Sequence, residues 1–323
     1  MKRLGRLVIA SCALVGCLAA GPAFAAREGT FHRSLQVTGR VDIDVTTGSG
    51  NISVRSGGEG KVEITGHIRA SGWFDNAQDR ISRLEANPPI QQSGNSIRIG
   101  HIHDMDLFHN ISISYDLVVP AQTQMTSHSG SGRQEVEGLA GSITVDSGSG
   151  DIRISNIANT VRAQTGSGDM KLESVKGEVY AKTGSGAIRA MDIGGGFEGE
   201  TGSGHIEFQQ SAPGAVHVKT GSGGIEARGV RGSLEARAGS GEIIADGEPR
   251  AGWIVHTGSG SVRLRLATDA AFDLNAHTSS GSISVNRPVT VQGIINRKEI
   301  RGRVRGGGPE VEVQTSSGNI EIL

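Results

Sequence analysis

Thr165-Gly166-Ser167-Gly168 is one copy of a four-residue motif that recurs through the middle of the chain. Its last glycine falls at residues 150, 168, 186, 204, 223, 241 and 260, so the period is 18 or 19 residues. Such a regular period is typical of repeat architectures, in which each repeat is one structural unit. The copies are Ser147–Gly150, Thr165–Gly168, Thr183–Gly186, Thr201–Gly204, Thr220–Gly223, Ala238–Gly241 and Thr257–Gly260.

Apolar and polar residues alternate between successive copies of the motif. After Gly150 the apolar or small residues are Ile152 and Ile154, and then Val161 and Ala163. Alternation with period two predicts two short strands per repeat, each with one buried face. One coil cannot bury this face alone, whereas coils stacked about 4.8 Å apart bury a continuous core. The sequence therefore predicts an all-β fold: a single-stranded parallel β-solenoid, similar to a β-helix, with coils of about 18 residues.

The composition of the chain excludes several other classes of protein. Glycine accounts for 50 of the 323 residues, but it does not recur at every third position as collagen requires. Regular alternation of isoleucine and valine between the glycines disfavours disorder. The net charge is −1 without a run of one sign, so neither a nucleic-acid partner nor a polybasic membrane patch is expected.

The Gly-Ser-Gly part of the motif predicts the corner that closes each coil. Glycine is expected there because tight turns require positive φ. The serine between the glycines is expected to form a hydroxyl ladder or to bond a neighbouring backbone group.

Three parts of the chain beyond the leader follow the repeat to different degrees. Residues 26–130 are predicted to form irregular coils, residues 131–285 regular repeats of 18 or 19 residues, and residues 286–323 C-terminal coils. One short helix is expected near residues 75–87, because Ala77, Ile81 and Leu84 recur at helical spacing after a possible Asp-Asn cap. The prolines at 88 and 89 end it.

Residues 1–25 are predicted to be a signal peptide. A basic start is followed by an apolar run and by Ala23-Phe24-Ala25, a small-x-small cleavage site. Cleavage there removes three basic residues and takes the net charge from −1 to about −4. It also removes both cysteines and leaves no transmembrane segment in the mature chain. An alternative stays open, because Leu14-Val15-Gly16-Cys17 resembles a lipobox that would anchor the protein through a lipid on Cys17.

One cluster has the residue types of a metal site. His101 and His103 would share a face of a strand, and Asp104 or Asp106 could complete a site for zinc or a similar ion. The alternative is a polar loop between two strands.

The position after each motif is not held acidic, so calcium binding along the whole repeat is not expected. The motif also lacks the lysine and the helix of a P-loop. No catalytic residue and no cofactor is predicted.

Outward positions form two rows of mixed charge along the predicted stack. Such rows are typical of a solvated face, although paired carboxylates in a cleft would be typical of a sugar-cleaving enzyme. The rows are Arg153, Lys171, Arg189, Glu207 and Glu226, and Arg162, Tyr180, Glu198, His217 and Glu235.

A basic stretch from Arg297 to Arg305 is interpreted as a charged edge strand that blocks further pairing. Trp253 is expected in the core, and Trp73-Phe74 is expected to pack against the helix.

The motif Thr-Gly-Ser-Gly-x-Ile with its period near 18 resembles a family of exported bacterial β-strand-repeat proteins. The segment Tyr115–Pro120 and the ending Gly306-Gly307-Gly308-Pro309 with Thr315–Ile320 are similar to that family too. Its members carry a domain of unknown function and are described as "putative adhesins". The resemblance implies the β-repeat fold over nearly the whole mature chain, and it supplies no catalytic residues.

The sequence as a whole indicates an exported, non-enzymatic protein of the periplasm or cell surface. Its expected role is that of an adhesin or scaffold that binds a protein or glycan of the cell envelope along an extended sheet face. Two alternatives remain: a carbohydrate-active enzyme built on a solenoid, and a sensing or regulatory partner in the envelope.

Overall fold

A computed structural model of the chain describes residues 27–71, 76–101, 110–291 and 296–323. The described residues form an all-β structure with one helix. Their strands lie in two long sheets, one of 14 strands and one of 15. Each regular coil contributes one strand to each of two facing sheets, so the fold is not a single stack of strands.

The N-terminal part contains eight strands and the helix. The helix α1 begins at Ala77 and buries Ile81 and Leu84, as the spacing predicts, but the Asn76 side chain makes no capping hydrogen bond. The predicted contact of Trp73-Phe74 with this helix lies outside the described residues. The elements are β1 (Arg27–Gln36), β2 (Val41–Thr47), β3 (Ile52–Gly57), β4 (Lys61–Ala70), α1 (Ala77–Ala86), β5 (Ile90–Ser93), β6 (Ser96–Ile99), β7 (Ile111–Pro120) and β8 (Thr123–Ser129).

The middle of the chain alternates between the two sheets in short parallel strands. We call the sheet that receives the strand after each corner sheet A and the sheet that receives the next strand sheet B. The strands are β9 (Gln134–Glu137), β10 (Ile143–Ser147), β11 (Ile152–Ile157), β12 (Val161–Thr165), β13 (Met170–Val175), β14 (Val179–Thr183), β15 (Ile188–Ile193), β16 (Phe197–Thr201), β17 (Ile206–Gln210), β18 (Val216–Ser222), β19 (Ile225–Val230), β20 (Leu234–Ser240), β21 (Ile243–Gly247), β22 (Trp253–Ser259) and β23 (Val262–Leu266).

The C-terminal part continues both sheets and adds a short antiparallel extension. Its strands are β24 (Phe272–Ser280), β25 (Ile283–Val285), β26 (Val289–Val291), β27 (Glu299–Val304), β28 (Glu310–Ser317) and β29 (Ile320–Ile322). The prediction that the basic stretch is an edge strand is wrong, because β27 pairs with β24 on one side and with β26 on the other. Arg301 there pairs with Glu299 on the same strand.

The coils at both ends are stacked out of chain order. Strand β28 lies between β22 and β24, and β29 lies between β23 and β25. The last coil of the chain is thus inserted inside the stack. At the other end, β2 lies between β6 and β8, and β3 between β7 and β9. Local sequence patterns carry no information on this order, because it depends on which distant strands pair.

The core is one continuous cluster between the sheets. It is filled mostly by isoleucine, valine, leucine and alanine, with a few large rings. Phe197 and Phe208 stack at a centroid distance of 4.5 Å across the two sheets. Trp253 is fully buried, as predicted, and its indole N–H donates to the Gly232 carbonyl at 3.0 Å. Burial of alternating residues on most strands explains why the interior stays thin and continuous.

The corner motif is held by its threonine rather than its serine. The Thr165 hydroxyl donates to the Gly150 carbonyl of the preceding coil at 3.0 Å and accepts the Gly168 N–H at 3.2 Å. Thr165 is 6% exposed, whereas Ser167 is exposed to solvent. Thr165 therefore makes the hydrogen bonds to a neighbouring backbone that were predicted for Ser167.

Glycine is required at these corners mainly because successive coils approach each other closely. A Cβ on Gly168 would lie 2.1 Å from the Gly150 carbonyl oxygen, which no side chain can tolerate. Gly168 does not have a positive φ, so the predicted reason is wrong there. The predicted reason, a positive φ, holds for Gly223, where φ is +151°.

Candidate functional site

The outward faces of the two sheets carry the polar side chains of the molecule. On sheet A the pairing register places Arg153, Lys171, Arg189, Glu207 and Glu226 in one row. Sheet B carries the other predicted row, which runs Arg162, Tyr180, Glu198, His217 and Glu235. Both rows are confirmed, because the strands of successive repeats of 18 or 19 residues pair with equivalent positions in register.

Ion pairs link part of the sheet A row into a network. Arg189 Nε lies 2.7 Å from Glu207, and Arg228 bridges Glu207 at 3.4 Å and Glu226 at 2.7 Å. The hydrogen bond with Glu226 is the main reason that the Arg228 pKa is raised. These two glutamates are therefore tied to arginines, whereas a glycosidase needs a pair of carboxylates free to act on a sugar.

A shallow groove of about 300 Å³ runs beside the basic half of the sheet A row. Its lining includes the basic residues Arg153, Lys171 and Arg189 together with Asp151 and Asp169. The two aspartates also hold the coils together. Asp151 Oδ1 accepts the Asp169 N–H at 3.1 Å, and Asp169 Oδ1 accepts the Ala187 N–H at 2.8 Å. The residue after the corner thus has a structural role in these coils, and the groove walls carry both signs of charge.

Sheet B has a second groove of about 390 Å³ around His217. Glu235 there pairs with Arg237 at 2.6 Å and with His217 at 3.3 Å, while Glu200 pairs with Lys182 at 2.8 Å. These partners lower the pKa of both carboxyl groups, with the Arg237 hydrogen bond the largest cause for Glu235 and the Lys182 hydrogen bond the largest for Glu200. A general acid needs a raised carboxyl pKa, which is the opposite shift.

A third groove, of about 420 Å³, follows the same face toward the C-terminal end. Lys219, Arg237 and His256 stand in adjacent coils along one wall. Its floor includes Gly221, Gly239 and Gly258, which are the first glycines of three corner motifs. A Cβ on Gly239 would lie 2.5 Å from the Gly221 carbonyl oxygen, so these corners of successive coils are in close contact beside the groove. We call it the cationic groove; it is completed by Gln314, Ser316, Thr220, Ala238 and Thr257.

The predicted metal cluster lies mostly outside the described residues, which include neither His103, Asp104 nor Asp106. His101 is described, and its Nε2 lies 3.0 Å from Asp44 Oδ1. Both atoms are shielded from solvent, but their alignment is not that of a hydrogen bond. Within the described ranges, no group of three or more histidine, cysteine or acidic side chains could hold a metal ion. The metal site stays a prediction.

Two functional features were missed at the sequence level. The grooves beside the outward rows were not anticipated. The clustering of Lys219, Arg237 and His256 could have been found by aligning the repeats, since each stands one position before the motif's Thr or Ala. No described helix is long and apolar enough to span a membrane.

The chain belongs to the Toastrack family DUF4097, whose model matches residues 36–196 and again residues 158–323. The predicted resemblance to a domain-of-unknown-function family is thereby confirmed. The two matches overlap and together cover residues 36–323, so the family defines the β-repeat class without defining an activity.

Two solved structures share similarity with this chain. One is a "putative cell adhesion protein" from Clostridium sporogenes, with 12% identity over 92% of this chain and 99% of that one, at a TM-score of 0.24. The other is a "putative adhesin" from Bacteroides fragilis, with 14% identity over 91% and 97% of the two chains, at a TM-score of 0.35. No curated protein matches the chain in sequence.

Proposed function

We propose that the protein is an exported scaffold of the cell envelope or cell surface that binds a protein or glycan partner along an outward sheet face. One observation carries the proposal: outward side chains stand in register over successive coils, beside shallow grooves of about 300 to 420 Å³. A long, regular face of this kind suits a polymer or a partner protein better than a small molecule, which favours a deep apolar pocket.

The role we propose is not enzymatic. Support comes from three glutamates of the grooves, since Glu207, Glu200 and Glu235 are each paired with a basic side chain. The lowered pKa of Glu200 and Glu235 favours the ionised form and disfavours proton donation at neutral pH.

Export is proposed from the leader segment at residues 1–25, which lies outside the described residues. The compartment is the periplasm or the cell surface. Mass spectrometry of the processed N-terminus distinguishes the two routes: cleavage after Ala25 leaves a free Ala26, whereas lipidation leaves a modified Cys17.

Co-sedimentation of the purified chain from residue 26 with isolated cell envelopes tests the binding role. Two charge-reversed variants map the face: Arg153→Glu with Lys171→Glu on sheet A, and Lys182→Glu with Lys219→Glu on sheet B. We expect one variant to lose binding and the other to keep it. Wild-type protein that stays in the supernatant, or two variants that bind as well as wild type, would rule the proposal out.

A further inference from the structure

The cationic groove differs from the other two grooves in the charge of its walls. Its lining includes Lys219, Arg237 and His256 but no aspartate or glutamate. The other grooves are lined by both acids and bases, and the second of them shares Lys219 and Arg237 with the cationic groove. Along the same outward row the next positions are Gln314 and His277, so no acid interrupts the row from Lys219 to His277.

Lys219 is the most available cation of the groove. It makes no ion pair and no hydrogen bond within the part of the chain that the structure describes, and its nearest acid in the row is Glu200 on the preceding coil, whose pKa its charge helps to lower. Arg237 and His256 contact Glu235 and Glu312, at 2.6 and 3.3 Å. These carboxylates occupy the neighbouring outward row, away from the groove lining. The groove therefore presents donors and positive charge to whatever enters it.

We propose that the cationic groove binds a linear anionic polysaccharide, with carboxylate groups of successive sugars contacting Lys219 and Arg237. The groove crosses successive coils, whose spacing of about 4.8 Å is close to the length of one sugar unit in an extended chain. Gln314 and Ser316 supply neutral hydrogen-bonding groups for hydroxyls. The inference rests on the proposed function and adds the chemical class of the partner.

The lining of the groove favours a glycan over an acidic peptide. A peptide that joins a sheet needs a free strand edge, but β18, β20 and β22 are paired on both sides. A peptide bound by its side chains needs apolar pockets, and Ala238 is the one apolar residue of this lining. A neutral glycan would be expected to stack on an aromatic ring, and apart from the His256 imidazole the lining has none. The groove can therefore recognise a ligand mainly through contacts to its negative charges and its hydroxyl groups.

Affinity measurements with polygalacturonate, which carries one carboxylate per sugar, test the inference. The test variant is Lys219→Gln with Arg237→Gln, and the matched control is Arg153→Gln with Lys171→Gln on sheet A. Both variants lose two positive charges. We expect the test variant to bind roughly tenfold more weakly and the control to change by less than about twofold, with binding that weakens as salt rises.

Arg237→Gln removes one partner of Glu235, so the double variant can lose stability as well as affinity. The single variant Lys219→Gln separates these two effects. Lys219→Gln removes no hydrogen bond and no ion pair of the described residues, so we expect a nearly unchanged melting temperature together with an affinity reduced about threefold. Neutral dextran and poly-glutamate complete the set of ligands, and neither is expected to bind as tightly.

Three results would overturn the inference: no binding of polygalacturonate by wild type, equal losses in the test variant and its control, or tighter binding of poly-glutamate. If any of these occurs while binding to isolated envelopes still maps to one sheet face, the scaffold role stands and the anionic glycan is wrong.

Discussion

The hydroxyl of Thr183 joins two coils by donating to the Gly168 carbonyl at 3.1 Å while accepting the Gly186 N–H at 3.1 Å. Thr183 is 2% exposed, so both backbone groups are shielded from water by the contact they make. The same pair of bonds recurs around Thr165. One buried side chain in each of these corners thus links neighbouring coils by hydrogen bonds.

Thr183→Val keeps the shape of the side chain and removes both hydrogen bonds. We expect the free energy of unfolding to fall by about 2 kcal/mol, because a buried N–H and a buried carbonyl lose their partner. Urea unfolding followed by circular dichroism measures it. The control Ser185→Ala alters an exposed residue of the same corner and should change stability by less than about 0.5 kcal/mol. Equal losses would show that the hydroxyl bonds do not stabilise the stack.

Gly186→Ala tests the close approach of coils at the corner. A Cβ at this position would lie 1.9 Å from the Gly168 carbonyl oxygen, so the coils would have to separate locally. We expect a loss above about 4 kcal/mol, or protein that fails to fold. Gly48→Ala is the matched control, since nothing lies within 4 Å of its Cβ and its φ is not positive. Its stability should change by less than about 1 kcal/mol. A well-folded Gly186→Ala protein would contradict the packing argument.

Hydrogen exchange tests the insertion of the last coil. Because β28 lies between β22 and β24, its amides should exchange as slowly as those of β22. Strand β25 is the control, since it pairs on one side only and is half-exposed at Ile283 and Val285. The β25 amides should exchange faster, through local opening of this strand that leaves the rest of the stack folded. Fast exchange across β28 would mean that the C-terminal coil lies at the end of the stack instead.

The Glu235 carboxylate gives a stability term that depends on pH. Its pKa in the folded state is lowered, chiefly by the hydrogen bond from Arg237. The contribution is therefore complete above the unfolded glutamate pKa of about 4.3 and is lost as the pH falls through the lower folded value. The side chain is 37% exposed, so solvent screening limits the contribution to about 1 kcal/mol or less.

Glu235→Gln measures this term by urea unfolding at pH 7, 5 and 3. The variant should be less stable than wild type at pH 7, and the difference should shrink toward zero at pH 3. Glu310→Gln is the control, because Glu310 is exposed and forms no ion pair within the described ranges. A difference that grows as the pH falls would contradict the direction of the shift.

Much of the fold follows from the repeat alone. A motif spaced by 18 or 19 residues forces equivalent positions into register, so the buried face and both outward rows can be assigned from the amino-acid pattern. The candidate site is harder. Lys219, Arg237 and His256 can be aligned as one row, but the depth beside them depends on how the glycine corners of adjacent coils stack.

The sequence by itself determined the strand pattern, the core and the coil spacing, because these depend on short-range alternation repeated every 18 or 19 residues. The tertiary structure decided which coil lies beside which. It placed β28 and β29 inside the stack and β27 between two partners, since strand pairing is a contact between distant segments that local patterns do not specify. It also assigned the hydrogen bonds of the corner to Thr183 rather than Ser185, because only packing buries one hydroxyl and leaves the other in water.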